Sequence, residues 1–174
     1  MLTLSEPQVV SVSQFESPVG TLWIASNERG IVKVAFDGEE DHGLAWVLKK
    51  FSHAKLVPGE KNNAEFHIEL YEYFQGRRKT FTCKVDLLVS DFARSVLHEV
   101  SRVPFGATAS YRDIAQAIGM PTATRAVGRV LATNPVPVIV PCHRVVGSDG
   151  RLVGFGGGLS VKEWLLSHER ALLH

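Results

Sequence analysis

Apolar and polar positions alternate in the first part of the chain as they do in β-strands. Apolar residues recur at Val10, at Val12 and through 21–25 and 31–36, with Pro, Asn and Gly between these segments. Alternation with period two, interrupted by turn-forming residues, is typical of half-buried strands joined by tight turns. The pattern therefore predicts an antiparallel meander.

Helical periodicity follows the meander. Apolar residues with spacings of three and four form two sets, Leu44, Val47, Leu48 and Phe51, then Phe66, Leu70 and Phe74. Residues 55–63 are polar and contain Pro58-Gly59, so we expect them to form the loop between the two helices. Because this half shows no candidate catalytic residue, residues 1–85 are predicted to form an N-terminal α/β scaffold domain.

Two short helices in succession are predicted in the second half of the chain. Ser110 followed by Asp113 is typical of a helix N-terminus and predicts a helix over 111–118. Thr122 is predicted to cap a second helix that ends near Ala132. Two short helices joined by a tight turn form a helix-turn-helix, a motif that also occurs in proteins that do not bind DNA.

The outer face of the second helix combines small residues with one long cation. Ala123, Ala126 and Gly128 are small, and Arg125 projects among them. Small residues allow a backbone to approach a groove closely, and a single guanidinium suits insertion between bases. We therefore expect this face to contact DNA.

Cys142 stands directly beside His143 in the string Pro-Cys-His-Arg-Val. Thiolate chemistry needs a thiol with a lowered pKa and a base that takes its proton. Neighbouring side chains point in different directions, so this pair requires a turn or a relay through ordered water. Pro141 cannot continue a central strand, which favours a turn. Taken alone, the pair is equally consistent with a buried structural cysteine.

The last helix carries a carboxylate on its apolar stripe. Ser160 and Glu163 predict a capping box at its start, and the stripe extends to Leu172. Glu169 falls on the same stripe, and a carboxylate facing a core needs a partner. We expect His143 to be that partner, because a histidine that accepts a proton is stabilised by a carboxylate on its other nitrogen. A glutamate at the solvent edge of the stripe is the alternative.

Composition narrows the class of protein. The 174 residues are 45% hydrophobic and 21% charged, with a net charge of +1, as in an ordinary globular protein. No apolar run is long enough to span a bilayer, and the N-terminus lacks the basic region of a secretory signal. The two cysteines match neither a disulfide framework nor a zinc pattern. We expect an intracellular protein without a structural metal.

Five motifs occur in order in the second half: Arg-Ala-Val-Gly at 125–128, Asn-Pro at 134–135, Pro-Cys-His-Arg-Val at 141–145, Gly-Gly-Leu at 157–159, and Lys-Glu-Trp-Leu-Leu at 162–166 with His168-Glu169. Together they closely resemble the O6-alkylguanine-DNA alkyltransferases, also called methylated-DNA–protein-cysteine methyltransferases. The resemblance is strong over 86–174. It implies an α+β fold with an N-terminal antiparallel sheet and helices, similar to ribonuclease H. Residues 86–174 would form a C-terminal helical domain with a winged helix-turn-helix-like DNA-binding element and the active site.

The resemblance implies a direct-reversal DNA repair enzyme. Cys142 would accept the alkyl group of O6-alkylguanine, and also of O4-alkylthymine. Glu169, His143 and a water would remove the thiol proton, and Tyr111 would help rotate the nucleotide and donate a proton to the guanine. The thioether product has no leaving group, so each molecule would act once.

The resemblance also implies how DNA is held. Arg125 would enter double-stranded DNA from the minor groove and replace the flipped guanine. The implied DNA contacts are Arg125, Ala123, Thr124, Ala126, Gly128 and Ser148, and the implied base pocket is formed by Asn134, Val145, Phe155 and Gly156. Arg144 would hold the active-site turn together. We expect a monomer without a cofactor, in the cytoplasm, and associated with the nucleoid if the source is prokaryotic.

Phe155 and Gly156 depart from the family, in which Tyr and Ser are frequent at these positions, and this leaves pocket size and substrate range open. A catalytically weak lesion-binding relative is one alternative, although such relatives lack the cysteine. A DNA-binding regulator is a second, but a helix face with little arginine offers few base-edge contacts. A cysteine hydrolase that uses Cys142, His143 and Glu169 is a third, and it would turn over repeatedly.

Overall fold

The computed structural model describes residues 7–171, which fall into two compact units. The first unit runs through Tyr71 and includes Thr82–Leu88, and the second comprises Glu72–Phe81 and continues from Val89. The domain boundary expected after residue 85 stays a prediction. Most of the N-terminal segment considered for a secretory signal lies outside the described residues, as does Leu172.

The meander predicted for the first unit is confirmed. Strands β1 (Val9–Ser17), β2 (Gly20–Asn27) and β3 (Gly30–Ala35) pair in antiparallel fashion. Gly30 has a φ of +141°, and a Cβ there would lie 2.4 Å from the carbonyl oxygen of Lys84. Glycine is therefore required where β3 begins, because a side chain would collide with the neighbouring backbone.

A fourth strand corrects the loop expected at 55–63. Strand β4 (Lys55–Pro58) pairs in parallel with β1, and the sheet order is β3-β2-β1-β4. The prediction was wrong because the partner of this strand lies about forty-five residues earlier, so no local pattern reveals the pairing. Pro58 is tolerated because it is the last residue of an edge strand.

One hydrophobic cluster of the first unit joins the sheet to helix α1 (Glu40–Lys50). The core cluster consists of Val10, Trp23, Ala25, Val32, Ala35, Val47 and Phe51. Gly43 faces the ring of Trp23, and a Cβ there would lie 2.9 Å from that ring. The missing side chain lets α1 pack closely on the sheet. Helix α2 (Ala64–Phe74) follows, with Phe66 and Leu70 buried.

The second unit is mainly helical. Its elements are α3 (Asp91–Ser101), β5 (Ala109–Ser110), α4 (Tyr111–Ala117), α5 (Thr124–Ala132), β6 (Val145–Val146) and α6 (Leu159–Ala171). Helices α3, α4 and α5 pack on one another, and the short strands β5 and β6 pair in parallel. The predicted α+β class, with an N-terminal sheet and a C-terminal helical part, is confirmed. The helix-turn-helix assignment of α4 and α5 stays a prediction.

Of three predicted helix N-caps, one is confirmed and two are wrong. Ser110 caps α4 as predicted, and Asp113 completes a capping box, because each side chain accepts from the other residue's backbone N–H. Thr122 was wrong as a cap, since α5 follows Ala123, which makes no side-chain cap. Ser160 was also wrong, because α6 already begins at Leu159. Neither error changes which residues belong to the predicted faces of α5 and α6. No helix among the described residues is long and apolar enough to cross a membrane.

Candidate active site

A tight turn carries the Cys-His-Arg sequence of the second unit. Pro141 precedes a single 3₁₀ turn, Cys142–Arg144, which leads directly into β6. Successive residues of a 3₁₀ helix point about 120° apart. All three side chains of the turn are buried: Cys142 contacts Asn134, whereas His143 and Arg144 both contact Glu169. The preceding segment is strained, because Val138 has a φ of 73°, a rare conformation for a β-branched residue.

The Cys142 thiol is held by Asn134, which follows α5. The Asn134 side-chain amide lies 3.1 Å from Cys142 Sγ and donates to the Val140 carbonyl at 3.1 Å. Its oxygen accepts from the Val136 N–H, so the amide orientation is determined by its partners. Burial raises the pKa of Cys142, while the Asn134 hydrogen bond and the positive charge of Lys162 oppose that rise. A base is therefore needed to form the thiolate.

Glu169 on α6 accepts hydrogen bonds at both carboxylate oxygens. His143 Nε2 lies 2.7 Å from Oε1, and Arg144 donates to Oε2 at 2.9 Å and to Oε1 at 3.0 Å. The Gly106 N–H donates to Oε2 at 3.2 Å, and the Tyr73 hydroxyl donates to Oε1 at 2.8 Å. Burial raises the pKa of Glu169, but His143 and Arg144 outweigh it and hold that pKa at about 2. The carboxylate is therefore ionised.

His143 is fully buried, and its protonation follows from this carboxylate. Burial lowers the pKa of His143, against the opposing effect of Glu169, so the ring is neutral near pH 7. Nε2 then carries the hydrogen that the ionised carboxylate accepts, which leaves the Nδ1 lone pair free as a base. Nδ1 has no hydrogen-bond partner among the described residues. An Nδ1 atom without a protein partner is the arrangement expected of a histidine that accepts a proton through water.

Arg144 joins the turn to its surroundings. In addition to Glu169 it donates to the Val103 carbonyl at 2.8 Å, and its guanidinium carbon lies 5.7 Å from the centre of the Phe105 ring. These contacts agree with the expectation that Arg144 holds the turn together.

A cavity of about 550 Å³ opens above Cys142. It is lined by Tyr111, Arg125, Gly128, Arg129, Leu131, Ala132, Cys142, Val153, Gly154, Phe155 and Gly156. The Tyr111 hydroxyl donates to the Val153 carbonyl at 3.0 Å, and burial raises the pKa of Tyr111, so it remains a phenol. The cavity therefore brings a thiol, a phenol and an arginine together within apolar walls.

Comparisons with known proteins identify the family to which the chain belongs. Two sequence models match, the 6-O-methylguanine DNA methyltransferase ribonuclease-like domain over residues 11–87 and the DNA binding domain over residues 91–171. A methylated-DNA–protein-cysteine methyltransferase of Mycolicibacterium paratuberculosis is 46% identical, covering 89% of each chain. The chain belongs to the 6-O-methylguanine DNA methyltransferase family.

Other family members are also similar over most of their length. The inducible methylated-DNA–protein-cysteine methyltransferase of Bacillus subtilis is 38% identical, covering 85% of this chain and 83% of its own. The crystal structure of Mycobacterium tuberculosis OGT in complex with DNA has a TM-score of 0.80 and 32% identity, covering 94% of each chain.

The remaining predicted site residues differ in exposure and in whether they line the cavity. Of the residues implied to contact DNA, Arg125 and Ser148 are exposed, whereas Ala123, Thr124, Ala126 and Gly128 are half-buried. Of the implied base pocket, Phe155 and Gly156 line the cavity, but Asn134 and Val145 are not among its lining residues. The roles of these residues stay predictions.

Three side chains were missed from the sequence. Lys162 is fully buried and donates to the carbonyls of Val145, at 2.6 Å, and Val153, at 2.9 Å. Its spacing of seven from Glu169 on α6 could have revealed it. Arg129 lines the cavity one turn after Arg125, so the description of a single long cation on α5 was wrong.

Tyr73 is the third. It precedes Glu169 by ninety-six residues, and no local signal marks it.

Proposed function

We propose that this protein repairs DNA by transferring an alkyl group from O6-alkylguanine to its own Cys142. The observation that carries the proposal is the arrangement of Cys142, which lines an apolar cavity while Asn134, His143 and the ionised Glu169 lie behind it. The names of the relatives, methylated-DNA–protein-cysteine methyltransferases, support the same reaction.

The proposed step is a direct displacement. His143 Nδ1 accepts the thiol proton through a water, the sulfur forms a bond to the alkyl carbon, and the bond between that carbon and O6 breaks. Tyr111 supplies a proton to the departing guanine and is reprotonated, in net terms, by the proton that Cys142 has lost. The products are guanine and an S-alkylcysteine, which has no leaving group. Each molecule therefore acts once.

Access to a base in a duplex requires extrusion of that base. We propose that α5 docks in the minor groove, that Arg125 fills the gap left by the flipped nucleotide, and that Phe155 and Gly156 border the base. Flipping costs about a few kcal/mol, and less where pairing is already impaired. O4-alkylthymine fits the same reaction, and the protein acts as a monomer in the cytoplasm.

Labelled alkyl transfer tests the proposal. The protein is incubated with a duplex containing O6-[³H-methyl]guanine, and the label per chain and the labelled peptide are determined. We expect one label per molecule on the peptide containing Cys142, in wild type and in a Cys83→Ser control. Release of labelled small product over many turnovers would favour a hydrolase. Label on Cys83 would overturn the assignment of the acceptor.

A further inference from the structure

Tyr73 lies at the C-terminal end of α2, far from the other site residues in sequence. It is fully buried, and its hydroxyl donates to Glu169 Oε1, the same oxygen that His143 and Arg144 contact. Glu169 therefore accepts hydrogen bonds from four residues, of which Tyr73 contributes the one neutral side-chain hydroxyl.

The Tyr73 side chain is held in this orientation. Its ring packs against four other rings, those of Phe74, Phe81, Phe105 and His168, with centroids 5.2 to 6.2 Å away. Its backbone carbonyl also contacts His168 Nε2 at 2.9 Å. Burial, and then the Glu169 charge and hydrogen bond, raise the pKa of Tyr73 against the opposing charge of Arg144. Tyr73 is therefore a permanent donor at physiological pH.

We propose that Tyr73 is a positioning residue that aims the Glu169 carboxylate at His143 and limits how strongly Glu169 stabilises protonated His143. An acceptor oxygen that is shared among several donors binds each of them less strongly. Tyr73 thus keeps His143 neutral, with Nδ1 ready to accept a proton, while Arg144 keeps Glu169 ionised. The proposal deepens the function proposed above and rests on it.

The titratable and charged groups around His143 and Glu169 come from three elements. His143 and Arg144 belong to the 3₁₀ turn, Tyr73 belongs to α2, and Glu169 and Lys162 belong to α6. Removal of the Tyr73 hydroxyl leaves all of these charges in place. A change in His143 titration then reports the lost hydrogen bond alone.

The test is the pKa of His143 in Tyr73→Phe, measured by NMR of protein labelled in its histidine rings. The His143 signal is assigned by its absence in His143→Gln. Because Glu169 Oε1 becomes a stronger acceptor for His143, we expect this pKa to rise by roughly half a unit to one unit. The low-pH limit of alkyl transfer from free O6-benzylguanine should move upward by the same amount. Tyr71→Phe, on the exposed side of α2, is the matched control and should move neither quantity.

A second variant covers the case in which Tyr73→Phe does not fold. Incorporation of 3-fluorotyrosine at position 73 keeps the ring and makes the hydroxyl a stronger donor, so the pKa of His143 should fall instead. An unchanged His143 pKa in both variants, or a uniform loss of rate with the same pH limit, overturns the proposal. The NMR measurement does not need alkyl transfer, so failure of wild type to transfer would reject the proposed function separately.

Discussion

Cys83 in the first unit and Cys142 in the second are both free thiols in contact with a cavity, but their surroundings differ. Cys83 is half-buried and lines the larger cavity, of about 830 Å³. Burial and the adjacent Glu69 carboxylate raise its pKa to about 12. Cys142 is more deeply buried, yet Asn134 and Lys162 oppose the rise in its pKa.

The two buried carboxylates explain much of this difference. Glu69 accepts hydrogen bonds from the backbone of Thr82 and Cys83, and its charge acts directly on the Cys83 thiol. Glu169 is separated from Cys142 by His143 and is compensated by Arg144. Exposure and cavity size therefore do not make a cysteine reactive. The sign of the charge next to the sulfur matters more.

The largest effect is expected from exchanging the cysteines for serine. Cys142→Ser should abolish alkyl transfer, whereas Cys83→Ser should transfer at the wild-type rate, because the Cys83 thiol is protonated at pH 7. Mass spectrometry after incubation with O6-benzylguanine measures the mass gained per chain. Transfer by Cys142→Ser, or its loss in Cys83→Ser, would contradict the comparison.

Glu169→Gln should destabilise the second unit. The substitution leaves Arg144 buried without its counter-charge, which costs ~3 kcal/mol or more. The pKa of Glu169 is held at about 2, below its ordinary value of 4.5. Its ionised form therefore contributes ~3 kcal/mol of stability above pH 4.5, and this contribution is lost as pH falls toward 2.

Urea unfolding at several pH values tests this linkage. The difference in unfolding free energy between wild type and Glu169→Gln should be large at pH 7 and should shrink below pH 4.5. A difference that stays constant with pH would show that Glu169 carries no depressed pKa.

Arg125→Ala should slow extrusion of the base from a duplex without slowing the alkyl transfer itself. Repair of a duplex should slow on the order of a hundredfold, because extrusion loses its inserting side chain, while transfer from free O6-benzylguanine needs no extrusion. Single-turnover rates on both substrates are the measurement, and Arg102→Ala, an exposed arginine after α3 that does not line the cavity, is the control. Equal losses on both substrates in Arg125→Ala would indicate a structural role.

Lys162→Met should slow transfer from the free base by about tenfold. The variant removes the positive charge that favours the Cys142 thiolate and leaves the carbonyls of Val145 and Val153 without their donor. The high-pH part of the rate profile should move upward as the thiol pKa rises. An unchanged pH profile would show that Lys162 acts only through its hydrogen bonds to the carbonyls of Val145 and Val153.

The smallest effect is expected on substrate preference. Gly156 lines the cavity, and a Cβ at this position would meet no atom within 4 Å. Gly156→Ser should therefore fold normally and lower the rate constant for O6-benzylguanine only slightly relative to that for O6-methylguanine. Gly156→Trp should lower this ratio further. The ratio of second-order rate constants for the two substrates measures this. A ratio unchanged in Gly156→Trp would show that the loop does not border the substrate.

The sequence by itself determined the features that depend on neighbouring residues. The meander, the helices and the Ser110–Asp113 capping box follow from periodicity and local hydrogen bonding, which act over a few residues. The turn at Pro141 follows from a residue that cannot continue a central strand. The proximity of His143 to Glu169 was also predicted, because a carboxylate on an apolar stripe needs a partner.

Only the tertiary structure decided which distant groups meet. The pairing of β4 with β1, the bond from Tyr73 to Glu169 and the two carbonyls bound by Lys162 join residues well separated in the chain. Such contacts form because a buried polar group must find a partner wherever packing brings one. Local patterns can mark Lys162 or Glu169 as groups that need a partner. They do not specify which partner, because that choice depends on how whole elements pack.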